Sequence, residues 1–555
     1  MKRNILNMLK VTFLALPLGG VGAGVLTSCD DLLDQEPYGQ FSAGQLTEND
    51  VDAFIASAYA GLESHFIGNN EAFAGPMTNW IIDVRSDDAL KGGGGISMEG
   101  NLHQLEISNI TSDNASLLFK WKNNYWAITR VHQAMSAIKS FLPENEQKPL
   151  KGELQFLRAW FYFDLYHLFE RFPYYDETAE NPSAIRYDNM SRDEIFNSIV
   201  KDLEEAYSVL PEKQTQPGRV SKYVAAAFLA RVNAFESRWS EVEKWSDLVI
   251  KCSQYSLYDN YLDMSKIDFN NTHESILALQ TSSANDNMHI CWSNLLNVTY
   301  SEGNQYGSGD DFFHGSQNLV DAFRTDANGL PYLDNAPADH VIGDYYGNVD
   351  PRLDCTVGRI GMPWRGLTYT ESWVRAADVY SGYSGKKWCI DPNDSRCLHT
   401  YPYHAPLNFI FIRYADILLL HAEALIEQNS NLNTAMREIN EVRQKAQRTL
   451  AQASTYSPVD INEMYADYKI GLYQSFPNQD YARKAVRMER RLELAMEGQR
   501  WFDLVRWGTV VETMNAYFRS EQQFESYYGD AQMSQDEIFW PVPYEEVNNA
   551  NGLYE

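Results

Sequence analysis

Apolar residues recur at steps of three and four along two long stretches of this chain. In "WKNNYWAITRVHQAMSAIKSFL", Trp121, Tyr125, Ile128, Val131, His132, Met135 and Ile138 fall on one face of a helix. "LQFLRAWFYFDLYHLFERFP" repeats that period and predicts a helix running to Pro173. "SRDEIFNSIVKDLEEAYSVLP" opens on Ser191 with a glutamate three residues later, the spacing of a capping box. It turns Ile195, Ile199, Leu203 and Ala206 inward and stops before Pro211. "SKYVAAAFLARVNAFESRW" is alanine-rich, which lets a neighbouring helix approach closely, and "EVEKWSDLVIKCSQY" follows it. The pattern predicts a mostly α fold with helix pairs in succession, of tetratricopeptide type but with an irregular period. The helical blocks lie at about 118–255 and 411–514 within a domain spanning 46–555.

Between the blocks, residues 256–410 carry few helical periods and many Gly, Asn, Asp, Ser, Pro and aromatic residues. Irregular segments on a helical scaffold are where binding residues tend to sit. Residues 65–112, with "KGGGGIS", form a second such region. No GxxxxGK[ST] accompanies those glycines, so they read as a turn rather than a phosphate cradle.

The first 28 residues break the helical pattern. Lys2, Arg3 and Lys10 precede an apolar stretch from about Val11 to Val25, interrupted by Pro17 and glycines, and Leu26-Thr27-Ser28 leads to Cys29. A basic start, a short apolar core and small residues before a cut site make a secretory signal rather than a membrane span. With cysteine as the first residue after the cut, the segment resembles a bacterial lipoprotein signal, which makes Cys29 the lipid attachment point. Residues 29–45, with Asp30, Asp31, Asp34 and Glu36, read as an acidic tether. No later stretch approaches the 18 apolar residues of a membrane span, so the membrane is reached by the anchor alone.

Charge and cysteines narrow the class further. The formal charge is −29, and loss of the three basic residues of the leader takes the mature chain near −32. A surface this acidic repels phosphate backbones and excludes nucleic acid as a partner. Of the six cysteines, five remain beyond Cys29. "CIDPNDSRC" brackets a turn-rich loop, which makes Cys389–Cys397 the local disulfide candidate in an exported protein. There is no CxxC pair, and no cofactor or metal is expected.

Further segments carry a family resemblance. "DDLLDQEP" after Cys29, "RSDDAL", "FLRAWFYFDLYHLFERFP", "GRVSKYVAAAFLARV", "QNLVDAFRTDANGLPY" with "DPRLDCTV", "FIRYADILLLHAEAL", "ERRLELAMEGQRWFDLVRWG" and "FWPVPYEEVNNANGLYE" are similar, in that order, to SusD/RagB-type proteins. The resemblance covers nearly the whole mature chain. It implies a SusD-like fold and a surface lipoprotein of the outer membrane of Bacteroidetes-type bacteria. Such proteins sit as a lid on a SusC-like TonB-dependent transporter and capture nutrient, usually an oligosaccharide or polysaccharide. One branch serves peptide import, which is one alternative, and a surface glycoside hydrolase is the other. Asp30 and Asp31 resemble that phylum's surface-export signal. The founding starch-binding member places an aromatic in the loop comparable to "KGGGGISMEGNLHQL", which here has no Trp or Tyr, so the glycan class is open.

Sugar binding requires aromatic faces for stacking and amide, carboxylate or guanidinium groups for hydroxyls. "DNMHICWSNLLNVTYSEGNQYGSGDDFF" supplies Trp292, Tyr300 and Tyr306 in a setting that suits no helix. Trp80 and Asn79 with Arg85 and Asp87 form a second candidate cluster, and Trp364, Arg365 and Trp373 a third. Hydrolysis would need paired carboxylates, one with a raised pKa. Glu489, Glu493 and Glu497 share a helical spacing, but Arg490 and Arg500 stand three residues from Glu493 and Glu497, which favours ionised structural pairs. His421 falls on an apolar helical stripe and reads as a core histidine. Without HExxH or GxSxG, no catalytic residue is assigned, and the chain is read as a binder rather than an enzyme. Asp87-Asp88 and Asp310-Asp311 could hold calcium but lack EF-hand spacing.

Overall fold

The computed structural model describes residues 47–63, 80–282, 299–300, 309–334, 347–364, 367–389, 394–396, 405–456, 467–550 and 552–553. Helix α1 (Val51–Tyr59) buries Val51, Ile55 and Ala58. Helix α2 (Ala115–Phe141) forms over the first periodic stretch, and Trp121, Ile128, Val131, Met135 and Ile138 are buried as expected. It starts three residues earlier than the period indicates, because the Asn114 side chain caps it, accepting the Ser116 N–H at 2.9 Å.

Helix α3 (Glu144–Leu168) differs from expectation at its end. It stops at Leu168 and not at Pro173. Phe169 turns extended and bridges Trp540, whose N–H donates to the Leu168 carbonyl at 2.7 Å. A long-range backbone pair thus ends the helix before the proline can. Every residue from Gly152 to Leu168 is buried, so α3 is the central element, covered all round.

Helix α4 (Arg192–Val209) carries the expected capping box. The Ser191 N–H donates to Glu194 Oε2 at 2.8 Å, and Ser191 Oγ accepts the Glu194 N–H at 3.3 Å. Helix α5 (Lys222–Phe235) buries Ala225, Ala226, Ala227 and Ala230, and packs on both α4 and α6 (Trp239–Lys251). Each helix from α1 to α6 packs on the next, and the two-residue connection Leu142-Pro143 makes α2 and α3 antiparallel neighbours. The chain returns to this stack through α7 (Tyr414–Glu427), which packs on α6, α8 (Leu432–Tyr456) and α9 (Gln479–Glu493). Helices α10 (Arg500–Arg506) and α11 (Val510–Glu521) complete the C-terminal block, which extends beyond the expected residue 514.

Short antiparallel pairs anchor the irregular regions to this scaffold. Strand β1 (Ala89–Gly92) pairs with β3 (Phe312–Gly315), Leu90 opposite His314. Strand β2 (Ser275–Leu279) pairs with β4 (Phe409–Arg413), Leu279 opposite Phe409. The β1–β3 pair matters for function, since it lays the glycine run of residues 92–95 beside the "GDDFF" segment more than 200 residues away in sequence.

Candidate functional site

The acids that could have served hydrolysis lie in the interior. Glu493 has no exposed surface and takes ion pairs from Lys445 and Arg413 at 2.6 Å each and from Arg352 at 3.0 Å. Burial alone would raise its carboxyl, but Lys445, Arg413 and Arg352 hold it far below the usual carboxylate range. A group held ionised in this way cannot act as a general acid at neutral pH. Glu489 is bound by Arg352 and Arg443, both at 2.8 Å.

Glu497 does not share the helix face expected for it. The helix ends at Glu493, and Met496 (φ 58°) and Gly498 (φ 76°) turn the chain, so that Glu497 meets Arg413 at 2.8 Å and Lys387. The expected partners are also exchanged. Arg490 pairs with Asp416 and Asp503, each at 2.9 Å, and Arg500 with Asp87 at 2.7 Å. Partners from distant segments outcompete those three residues away because they come with a buried, low-dielectric setting. His421 is buried, with Nδ1 2.8 Å from Glu438.

The second candidate cluster is committed to structure. Arg85 is fully buried, its guanidinium 3.8 Å over the Trp501 ring and donating to the Glu537 carbonyl at 2.7 Å. Asp87 is 3% exposed and held by Arg500 at 2.7 and 2.9 Å and by Arg491 at 3.1 Å. Both side chains are turned from solvent, which corrects the sequence expectation of sugar contact there. Asp88 is likewise taken by Arg491 at 2.7 Å. Trp80 opens a four-residue helix, Trp80–Asp83, but its side chain, like Asn79, lies outside the described residues. In the third cluster Trp364 and Trp373 are buried in a small core with Tyr369, and Arg365 is not described.

Cys29, Trp292, Tyr306 and Cys397 lie outside the described residues. Cys389 is buried, with Sγ 3.6 Å from the Gly385 carbonyl.

Tyr300 stands out, with 40% of its surface exposed. Its backbone is fixed, because its N–H donates to the Trp373 carbonyl at 3.1 Å. The Arg375 guanidinium carbon lies 5.1 Å from its ring centroid. Arg375 in turn pairs with Asp310, and its backbone N–H donates to Asp311 Oδ2 at 2.9 Å. Asp311 itself is buried and fully occupied, since it also accepts the Ser384 hydroxyl at 2.6 Å and sits 3.0 Å from His314. It is therefore a structural pin for Arg375.

The glycine run forms the other wall. Gly93 has φ +78°, and a Cβ there would lie 2.5 Å from the Phe312 ring, so glycine is required for the close approach. A Cβ on Gly94 would lie 3.0 Å from Arg375 Nε, so glycine also lets the guanidinium rest against the loop. Lys91, 1% exposed, organises this turn from beneath. Its ammonium donates to the carbonyls of Gly92, Gly95 and Met98 at 3.0, 2.9 and 2.7 Å. Burial pushes that ammonium down to about 8, with Glu106 and Glu99 working the other way. The glycine run, read from sequence as a turn rather than a phosphate cradle, is wrapped around a cation of its own.

Tyr300, Arg375, Asp310 and Glu99 thus form one face. It offers an aromatic ring for stacking and charged groups for hydroxyls, the combination that sugar recognition uses. Arg375, Lys91 and Glu99 were not singled out from sequence. Arg375 belongs to no motif, and its partner Asp310 is 65 positions away.

Two buried acids stand at and just past the end of α11, Glu521 as its last residue and Glu525 in the following turn. Glu521 accepts the Gln317 N–H at 2.7 Å, and Glu525 accepts the Ser381 N–H at 2.8 Å while its second oxygen finds no partner among the described residues. Burial pushes Glu525 up to about 7 against the pull of Ser381, and Glu106 adds to the rise. The folded chain therefore keeps a proton that the unfolded chain releases between about pH 4.5 and 7, and this group subtracts stability as pH rises through that window. Glu525→Gln keeps an acceptor for Ser381 and removes the charge. It is expected to stabilise the protein by about 1–3 kcal/mol near pH 8 and to have little effect near pH 5. Melting curves at the two pH values check this, and an equal effect at both would refute it.

The sequence matches the family described as "SusD family" over residues 273–555, and that described as "Starch-binding associating with outer membrane" over residues 31–233. It is 26% identical over 523 residues to SusD-like protein P2 of Formosa agariphila, covering 90% of each chain. It is 24% identical over 460 residues to a SusD-like protein of Bacteroides ovatus, covering 78% of this chain and 72% of that one. Among solved structures, surface glycan-binding protein A from Bacteroides thetaiotaomicron in complex with laminarihexaose superposes with a TM-score of 0.69 at 19% identity, over 92% of this chain and 99% of the other. A laminarin binding SusD-like protein superposes with a TM-score of 0.68 at 20% identity, over 90% and 97%. These structural likenesses establish a shared fold.

Proposed function

Because the chain belongs to the SusD family, we propose that it is a non-catalytic, cell-surface glycan-binding lipoprotein that passes its ligand to a SusC-like TonB-dependent transporter. The observation that carries the glycan reading is the face built by Tyr300 over Arg375, beside Asp310 and the glycine turn. A fixed backbone and a half-exposed ring are what a stacking platform needs, because little side-chain entropy remains to be lost on binding. Surface glycan-binding protein A, with the same fold, was solved with laminarihexaose bound, and a second similar structure is a laminarin binder. The buried, ion-paired state of Glu489, Glu493 and Glu497 supports binding without turnover.

The outer-membrane placement draws on the family described as associating with the outer membrane and on the leader ending at Cys29. Among the described residues no helix is long and apolar enough to cross a membrane. The leader pattern before Cys29 supports attachment by lipid on that residue, where each buried CH₂ contributes about 0.8 kcal/mol.

The test has two arms. The mature chain without its lipid is titrated calorimetrically with laminarihexaose and maltohexaose, and the sugars are then analysed for cleavage. Saturable binding of at least one, with no product, is the expected result. Gentle detergent extraction of cells carrying the lipidated protein should recover it with a large β-barrel partner, because a stable lid buries on the order of 1,200–2,000 Å². Sugar cleavage would refute the first part, and recovery as a lone chain beside an expressed transporter the second.

A further inference from the structure

We propose that Asp310 sets the ligand's charge class: by neutralising Arg375 it makes the platform accept neutral glycans and reject uronate- or sulfate-bearing ones. This rests on the glycan-binding reading above and adds to it the chemistry of the acceptable sugar. A protein that captures a polyanionic glycan must present unspent guanidinium or ammonium groups, because carboxylates and sulfates are recognised by charge-assisted donors. The described face has two cations, and both are spent. Arg375 is paired with Asp310, and its backbone is pinned by Asp311. Lys91 lies under the glycine turn with its ammonium aimed at three backbone carbonyls, away from any ligand.

What remains outward is acidic. Glu99 is half-buried beside the pair, and its carboxyl is raised by burial, with Asp310 adding to the rise and Lys91 opposing it. Glu371 and Asp378 are exposed on either side of Arg375 in sequence. In residues 92–100, 309–311 and 367–380, Arg375 is the single lysine or arginine. The net charge of −29 acts in the same direction at longer range. A uronate chain laid on Tyr300 would meet carboxylates without a free counter-charge. A neutral chain would stack on the ring and donate its hydroxyls to those same carboxylates.

The experiment compares dissociation constants for neutral hexasaccharides of glucose, mannose and xylose with those for hexagalacturonate, at low and at high salt. The wild-type mature chain should bind at least one neutral sugar at least about a hundredfold more tightly than hexagalacturonate at low salt. Asp310→Asn frees the Arg375 guanidinium, and the ratio of the two constants should fall by at least about tenfold, an effect that high salt removes. Arg375→Met deletes the cation instead of freeing it and should leave the ratio at or above that of the wild type. Asp310 is 43% exposed at its side chain, so folding is checked by melting, and the wild-type comparison stands by itself if the variant misfolds. Wild-type binding of hexagalacturonate as tight as that of the neutral sugars would overturn this proposal and leave the glycan reading intact. An unchanged ratio in folded Asp310→Asn would remove Asp310 from the role. Binding of a basic peptide with no hexasaccharide bound would overturn the glycan reading and this proposal together.

Discussion

Replacing Glu493 by glutamine should lower the stability of the folded chain by about 3–5 kcal/mol, the cost of leaving buried charges unmatched. The residue is a hub. Its carboxylate meets Lys445, Arg413 and Arg352, and those bases also serve Glu274, Glu497, Asp350 and Glu489. With Lys387 and Arg443, five acids stand against five bases, all nearly free of solvent. Removing one negative charge leaves an excess positive charge that neither water nor salt can screen there. The amide of glutamine can accept a hydrogen bond but cannot balance charge.

The network joins β4, α8, α9 and the segments at 274, 350–352 and 387, so its loss loosens the irregular region from the helical block. The check is a denaturant titration of the mature chain followed by midpoint shift. The control is Lys251→Ala at an exposed pair with Asp247, where a change near zero is expected. A loss below about 1 kcal/mol for Glu493→Gln would mean that the network redistributes its pairs.

Tyr300→Ala should weaken glycan binding by about 1–3 kcal/mol, a factor of roughly 5–150 in the dissociation constant, with almost no change in melting. Ring exposure carries that separation of effects. A side chain 40% open to solvent contributes little to the core, whereas its free face is the stacking surface for a sugar. The backbone bond to the Trp373 carbonyl does not depend on the side chain, so alanine keeps the local path. Calorimetric titration with the best neutral hexasaccharide, beside a melting curve, decides it. Normal affinity would remove Tyr300 from the site, and a large drop in melting would make it a packing residue.

Much of the scaffold was legible because its signals are local. The three-four period of Trp121, Ile128, Val131, Met135 and Ile138, the capping box at Ser191 and the alanines of α5 each act within one or two turns of chain. Such interactions are complete in a short window, and the helices followed them. The end of α3 was not legible, since Phe169 leaves the helix for a partner at Trp540. The charged C-terminal motif was readable as structural but not in its pairing. Arg490 and Arg500 each had an acid three residues away and took Asp416, Asp503 and Asp87 instead.

The site divides in the same way. Residue type and an irregular setting marked Tyr300, and the same criteria marked Arg85 and Asp87, which proved buried. Nothing in the windows around 91, 310 or 375 tells that Lys91 would be folded under its own glycine turn or that Asp310 would spend the charge of Arg375. By itself the sequence determined the helical elements, the acidic character and the family pattern, because period, caps and composition are properties of short segments or of the whole chain. Only the tertiary structure decided which charges face inward and which ring faces out. A charge takes the partner that burial brings to it, and burial is settled by contacts between segments tens to hundreds of residues apart.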